Sequence, residues 1–204
     1  MTLKLGSGTS TRAGTDEAVA EAFEHALAAL DGARPRLAVV VCTVEHDSVE
    51  VLDRLARITG ELPIAGATSS LGVLTPDGFA MGANGAVGVL LFGGDGFEIA
   101  AASAEIEPGC SGAGKVAATR LREQLTGSPS MLMMFGVPGC EEGLLDGVAE
   151  VFPDVPLIGG SAADHAIAGD WRVIHNDGVS SSAIALVALG GEIQVGTSYI
   201  APYR

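Results

Sequence analysis

Two stretches of this chain place small and hydroxyl residues at matching positions: Pro63-Ile64-Ala65-Gly66-Ala67-Thr68-Ser69-Ser70 and, ninety-three positions later, Pro156-Leu157-Ile158-Gly159-Gly160-Ser161-Ala162-Ala163. In each, proline opens a short apolar strand. Glycine then leads into residues whose hydroxyls and backbone N–H groups can face a ligand or the other copy. Such N–H groups suit a carboxylate, while Asp164 or Asp177 suits an ammonium, and His175 lies nearby in the second copy. Gly66, Thr68, Ser69, Ser70, Gly159, Gly160, Ser161, Asp164 and His175 are therefore the candidate ligand-binding residues. The competing reading is that small residues only let two duplicated strands approach closely.

Other patterns point to other chemistries, and each stops short. Gly109-Cys110-Ser111-Gly112-Ala113-Gly114-Lys115-Val116 is one residue away from a phosphate-binding loop. Val116 stands where a Ser or Thr would reach Mg²⁺, so the stretch reads as a Gly-rich helix entry that could still attract an anion. Gly6-Ser7-Gly8 with Gly14 lacks the spacing of a dinucleotide fingerprint and reads as a turn. Ser161, His175 and Asp177 supply the residue types of a hydrolytic triad, but no G-x-S-x-G elbow accompanies them. No catalytic residue is assigned, and the chain is not read as an enzyme. No two of the four histidines share an i, i+3 or i, i+4 spacing, so no metal site is expected. Cys110 near a helix start would have its thiolate favoured, yet reads more simply as buried filler, like Cys42 in its apolar strand.

Composition bounds the rest. With 204 residues, 48% of them hydrophobic, and 29 glycines, the chain can build one sizeable core or two fused small ones. Its 11 basic and 25 acidic residues leave a net charge of −14, which repels phosphate backbones and excludes nucleic acid as the main partner. Three widely spaced cysteines predict no disulfide framework and a reducing, cytoplasmic setting. The N-terminus lacks an apolar signal region, and no apolar stretch reaches the length of a membrane span, so no membrane partner is expected.

The elements that must position the two stretches follow from periodicity. Strand Thr2–Leu5 and a Gly6–Gly14 loop precede a helix over Asp16–Asp31, with Thr15 as N-cap and Val19, Phe23, Ala26, Leu27 and Leu30 as its apolar stripe. Leu37–Thr43 is a buried strand, a helix starts near Asp47 or Ser48 and closes at Gly60, and the strand Pro63–Ala67 follows. Thr75-Pro76-Asp77-Gly78 is a turn between strands, Phe79–Gly82 and Ala86–Phe92 are strands, and Gly93–Gly96 is a hairpin. From Phe97 the series restarts. It comprises strand Phe97–Ile106, helix Gly112–Leu125, strand Met131–Phe135, helix Glu141–Val151 and strand Pro156–Gly160, then a pair Arg172–His175 with Ala183–Leu189, and a last strand Ile193–Tyr199. The order β-α-β-α-β-β-β thus occurs twice. It predicts an α/β fold of two pseudo-symmetric repeats, about 2–94 and 97–200, with mixed sheets sharing a core and helices outside.

The paired proline strands, Pro156-Leu157-Ile158-Gly159-Gly160-Ser161-Ala162-Ala163-Asp164, and the turn Asn176-Asp177-Gly178 before the strand at Ser182–Gly191 together resemble the N-terminal FIST domain. The resemblance runs from about Leu37 to Tyr199. It implies a single sensory domain of a bacterial signalling protein, with a small-molecule ligand such as an amino acid and a signalling protein or domain as partner. Members usually continue into a C-terminal FIST partner, and none is expected within these 204 residues. Some members bind haem and respond to nitric oxide, which would make His165 or His175 the haem ligand.

Overall fold

The computed structural model describes residues 2–76, 78–107 and 109–196. Strand β1 (Thr2–Ser10) leads to helix α1 (Thr15–Ala29), β2 (Pro35–Thr43), α2 (Ser48–Thr59), β3 (Ile64–Ser69), the short pair β4 (Val73–Thr75) and β5 (Gly78–Ala80), and β6 (Val87–Asp95). The same series then recurs as β7 (Glu98–Glu105), α3 (Cys110–Gln124), β8 (Pro129–Gly136), α4 (Glu141–Ala149), β9 (Leu157–Ser161), β10 (Val173–His175), β11 (Gly178–Ser180) and β12 (Ala183–Gly190). Each series holds one short strand that the pattern does not predict. β4 and β11 are three residues long, too short for alternation to register.

The two series build equivalent sheets, β1-β6-β2-β3 and β7-β12-β8-β9, in which β2–β3 and β8–β9 are parallel and the other pairs antiparallel. Parallel neighbours need a crossover, and α2 and α4 supply it. On one face of the first sheet, Val19, Phe23 and Leu55 from the helices pack on Val40, Val89 and Leu91. On the second, Leu121, Leu144 and Phe152 pack on Leu132, Met134 and Leu186. The opposite faces meet each other, with Leu37, Val39, Ala65 and Phe92 from one sheet against Met133, Ala185, Val187 and Leu189 from the other. The expected shared core with helices outside is therefore present.

The repeats differ in where their hairpins go. β4–β5 and β10–β11 are twins one hundred positions apart, with matching registers: Val73 faces Ala80 and Leu74 faces Phe79, as Val173 faces Ser180 and Ile174 faces Val179. β10 crosses to the other sheet and lies antiparallel on β3, extending it to β1-β6-β2-β3-β10-β11, whereas β4 and β5 pair only with each other among the described residues. Between β3 and β9 the offset is 93, and between the hairpins it is 100, so repeat two carries a seven-residue insertion in residues 162–172. The three residues 70–72 span at most roughly 10 Å, and the eleven residues 162–172 roughly 36 Å or more. Only the longer link lets its hairpin cross.

Several expectations are corrected. The Gly6–Gly14 loop is strand as far as Ser10. A Cβ on Gly6 or Gly8 would lie 2.1 or 2.2 Å from the carbonyl oxygens of Ala26 and Ala22, so these glycines admit α1 rather than break the strand. Gly14, not Thr15, caps α1, and the Thr15 hydroxyl meets His46 Nδ1 at 3.3 Å. Gly93–Gly96 is no hairpin: β6 continues to Asp95 against Thr2, and the chain then passes to the other sheet. Arg172–His175 does not pair with Ala183–Leu189, since β12 lies between β7 and β8. Residues 193–196 are not strand, and the remainder of the expected last strand, with Tyr199, lies outside the described residues, as does Asp77 of the Thr75–Gly78 turn. Two of the three cysteines do pair: Cys110 and Cys140, thirty residues apart, form a disulfide with Cα atoms 5.5 Å apart. Gly114, Gly143 and Gly147 have no side chain to hold α3 off α4, and a Cβ on Gly143 would lie 2.8 Å from that of Cys110.

Candidate functional site

β3 and β9 end on the same side of the molecule, and their ends frame a cavity of about 240 Å³. Val41, Met133, Phe135 and Ile158 give it apolar walls, and Thr68, Ser69, Gly159, Gly160 and Ser161 complete it. Five of the nine candidate residues are thus brought together, with both repeats contributing. Gly66 is not among them: a Cβ there would lie 1.8 Å from the Val40 carbonyl oxygen. Gly159 repeats this contact against Met134, at 1.9 Å. For these twins the close-approach reading holds, whereas a Cβ on Gly160 would meet nothing within 4 Å, and this residue opens to the cavity.

The hydroxyls are already engaged. Buried Thr68 accepts from the Arg172 N–H at 2.8 Å, and its own N–H donates to the Arg172 carbonyl, fastening β3 to the residue before β10. Ser69 donates to the Gly72 carbonyl at 2.6 Å, and Ser70 is exposed, its carbonyl accepting from Gly72 N–H. Ser161 donates to Glu141 Oε1 at 2.6 Å, while Glu141 Oε2 accepts from Gly139 N–H at 2.8 Å. The Ser161 hydroxyl, then the backbone N–H groups, hold the Glu141 carboxyl below its ordinary value. A fixed, exposed carboxylate therefore stands beside an apolar cavity. Glu141 did not stand out in the sequence because it reads as an ordinary acidic first-turn residue of α4.

The FIST N domain profile matches residues 36–204, most of the chain. The chain belongs to the FIST N domain family. Domains of this family are sensory modules of signalling proteins. The curated proteins include no match to this FIST domain. Among solved structures, cyanuric acid hydrolase from A. caulinodans is 12% identical with a TM-score of 0.44, the alignment covering 93% of this chain and 72% of that one. A second cyanuric acid hydrolase structure is 8% identical with a TM-score of 0.44, covering 93% and 68%. A likeness this distant says nothing of activity here.

In this FIST domain Asp164 is not free to meet an ammonium. Its carboxylate accepts from the N–H groups of Ala166, Ala168, Gly169 and Asp170 at 2.8–2.9 Å, organising the inserted loop. Burial opposes its ionisation, but the N–H groups of Asp170, Ala166 and Gly169 outweigh that and keep its pKa below the usual value. His165 spans the same region: Nδ1 accepts from Leu71 N–H at 2.9 Å and Nε2 meets Glu45 at 2.7 Å. It pins Leu71, a non-glycine residue at φ 65°.

His175 lies at the opposite end of β3, opposite Ala65, and lines a different cavity of about 190 Å³ with Asn176, Asp177 and Ser103. Burial depresses its pKa, against Asp177 and Glu105, and among the described residues neither ring nitrogen has a hydrogen-bond partner. Neither histidine is set out as a ready haem ligand. Both nitrogens of His165 are engaged, and His175 lines a cavity of only about 190 Å³. Nor do Ser161, His175 and Asp177 assemble: Ser161 bonds Glu141, and the Asp177 carboxylate accepts from Ser103 at 2.8 Å with His175 Nδ1 3.9 Å away. Lys115 of the glycine-rich stretch pairs with Glu150 at 2.6 Å on the surface. Among the described residues no group of three acidic, histidine or cysteine side chains could hold a metal, and no helix is long and apolar enough to cross a membrane.

Proposed function

We propose that this FIST domain senses a small amine-bearing metabolite, an amino acid being the working case, in the cavity between the ends of β3 and β9. The apolar part of the ligand would lie on Val41, Met133, Phe135 and Ile158, and its ammonium would meet Glu141, oriented by Ser161. This replaces Asp164 and Asp177 as the ammonium partner while keeping Thr68, Ser69, Gly160 and Ser161 at the site. The observation that carries the reading is the convergence of the two twin strands on one cavity with a fixed carboxylate beside it. Because the cavity takes one wall from each repeat, a ligand that prefers one spacing of β3 and β9 shifts the population of that spacing, and a signalling protein or domain reads the change.

The experiment is a melting-temperature screen of amino acids and their decarboxylated amines against the wild type and Glu141→Gln. A ligand at a hundred times its dissociation constant stabilises the wild type by about 2.7 kcal/mol, a shift of several degrees, and Glu141→Gln loses it. No shift with any of these compounds, or a shift that Glu141→Gln leaves intact, overturns the reading.

A further inference from the structure

We propose that β9 receives the β4–β5 hairpin of a second copy of this chain, giving a twofold dimer joined by strand addition. The occupied form of this seat exists within the molecule: β10 lies on β3 with Val173 opposite Ala67, Ile174 opposite Gly66 and His175 opposite Ala65. Carrying that register across the repeats places Val73 opposite Gly160, Leu74 opposite Gly159 and Thr75 opposite Ile158.

Both halves of the second seat carry exposed apolar side chains. Ile174 is 0% exposed, but its twin Leu74 is 81% exposed, and Phe79 beside it is 52% exposed. Ala65 is 1% exposed, and its twin Ile158 is 39% exposed. An edge strand with apolar residues beside it is a template for another strand. The chain's own hairpin is tied down three residues after β3, with Val73 packed over Gly88 of β6. The hairpin of a second copy keeps the same link to its own sheet, but that molecule is free to move as a whole and bring it to β9. Each copy offers one hairpin and one open edge, so a twofold axis satisfies both at once and the assembly closes. The chain carries a net charge of −14, yet residues 71–81 and 157–161 include a single charged residue, Asp77; the Glu141 carboxylate held by Ser161 stands beside them.

The mass of the full chain in solution, by light scattering over a dilution series, tests this independently of any ligand. The wild type is expected at twice the chain mass, falling to a single chain mass in Leu74→Asp and in Ile158→Asp. Both side chains are solvent-facing in one copy, so the variants keep the wild-type circular dichroism spectrum. Amide exchange at Gly159 and Ser161 is expected to be slow in the wild type and fast in Leu74→Asp. A wild type that stays a monomer at every concentration overturns the proposal, as does a dimer that survives both substitutions.

Discussion

β3 and β9 are twins in sequence, in register and in their glycine contact with the neighbouring strand, yet β3 is buried along nearly its whole length while the middle of β9 is exposed. The strands themselves do not account for the difference. It comes from the link after each: three residues hold β4–β5 beside its own sheet, and eleven let β10–β11 cross to the other. In a duplicated fold the core positions keep the unit alike, and loop length decides which unit each piece joins.

The comparison is sharpest at the twin pair Ile174 and Leu74. Ile174→Ala removes a fully buried side chain and is expected to cost about 3 kcal/mol in denaturant unfolding. Leu74→Ala, read at dilutions where single chains are measured, should stay within about 0.5 kcal/mol. Equal losses at both would break the distinction between seated and unseated hairpins. Next in size is Asp164→Ala, which takes the shared acceptor from four loop N–H groups and is expected to cost about 2 kcal/mol. Exchange should then quicken at Ala168–Asp170 and not at Gly72 of the short link.

The third comparison sets His175 against its twin Thr75, which has no charge to change. The folded state holds His175 neutral, so the unfolded state takes up the proton more readily, and stability falls as pH drops below about 6.5. His46, buried and depressed in the same direction, adds to this slope. Replacing His175 with the twin residue, His175→Thr, should lessen the fall between pH 7 and 5 in unfolding measured across pH; an unchanged slope would contradict its burial in neutral form. The smallest effect belongs to Lys115→Met. Its ion pair with Glu150 is more than half exposed on both sides, so stability should move by less than about 0.5 kcal/mol. Nucleotide binding that depends on Lys115 would reinstate the phosphate-loop reading.

Much of the architecture was legible from periodicity. The buried runs around Val40 and Met133 and the Pro63 strand appear as expected because burial on one or two faces writes itself into residue type. The Pro156 strand is also present although its middle is exposed, and of the expected α1 stripe Leu27 faces solvent, 40% exposed. What failed was the reading of glycine. At Gly6, Gly8, Gly93 and Gly94 it signals a close backbone neighbour within a strand, and at Gly114, Gly143 and Gly147 a helix contact that also brings Cys110 to Cys140. The first use looks like a loop in one dimension; the second lies inside helices that periodicity does find, and what stays hidden there is the close approach that pairs the cysteines. At the site, the matching of Thr68 to Ser161 located the cavity, since both follow from the duplicated strand. Asp164, His165 and Glu141 could not be assigned from type alone, because whether a carboxylate is open or already held depends on N–H groups that only the folded loop brings near.

The most direct test of the crevice as a ligand site is a titration of isotopically labelled protein with the amine or amino acid that most raises the melting temperature, followed at backbone amides. The account predicts that the largest shifts fall on Ser69, Gly160, Ser161 and Phe135, from both repeats at once. Shifts centred on Ala102, Ser103 and His175, at the opposite end of the strands, would contradict it.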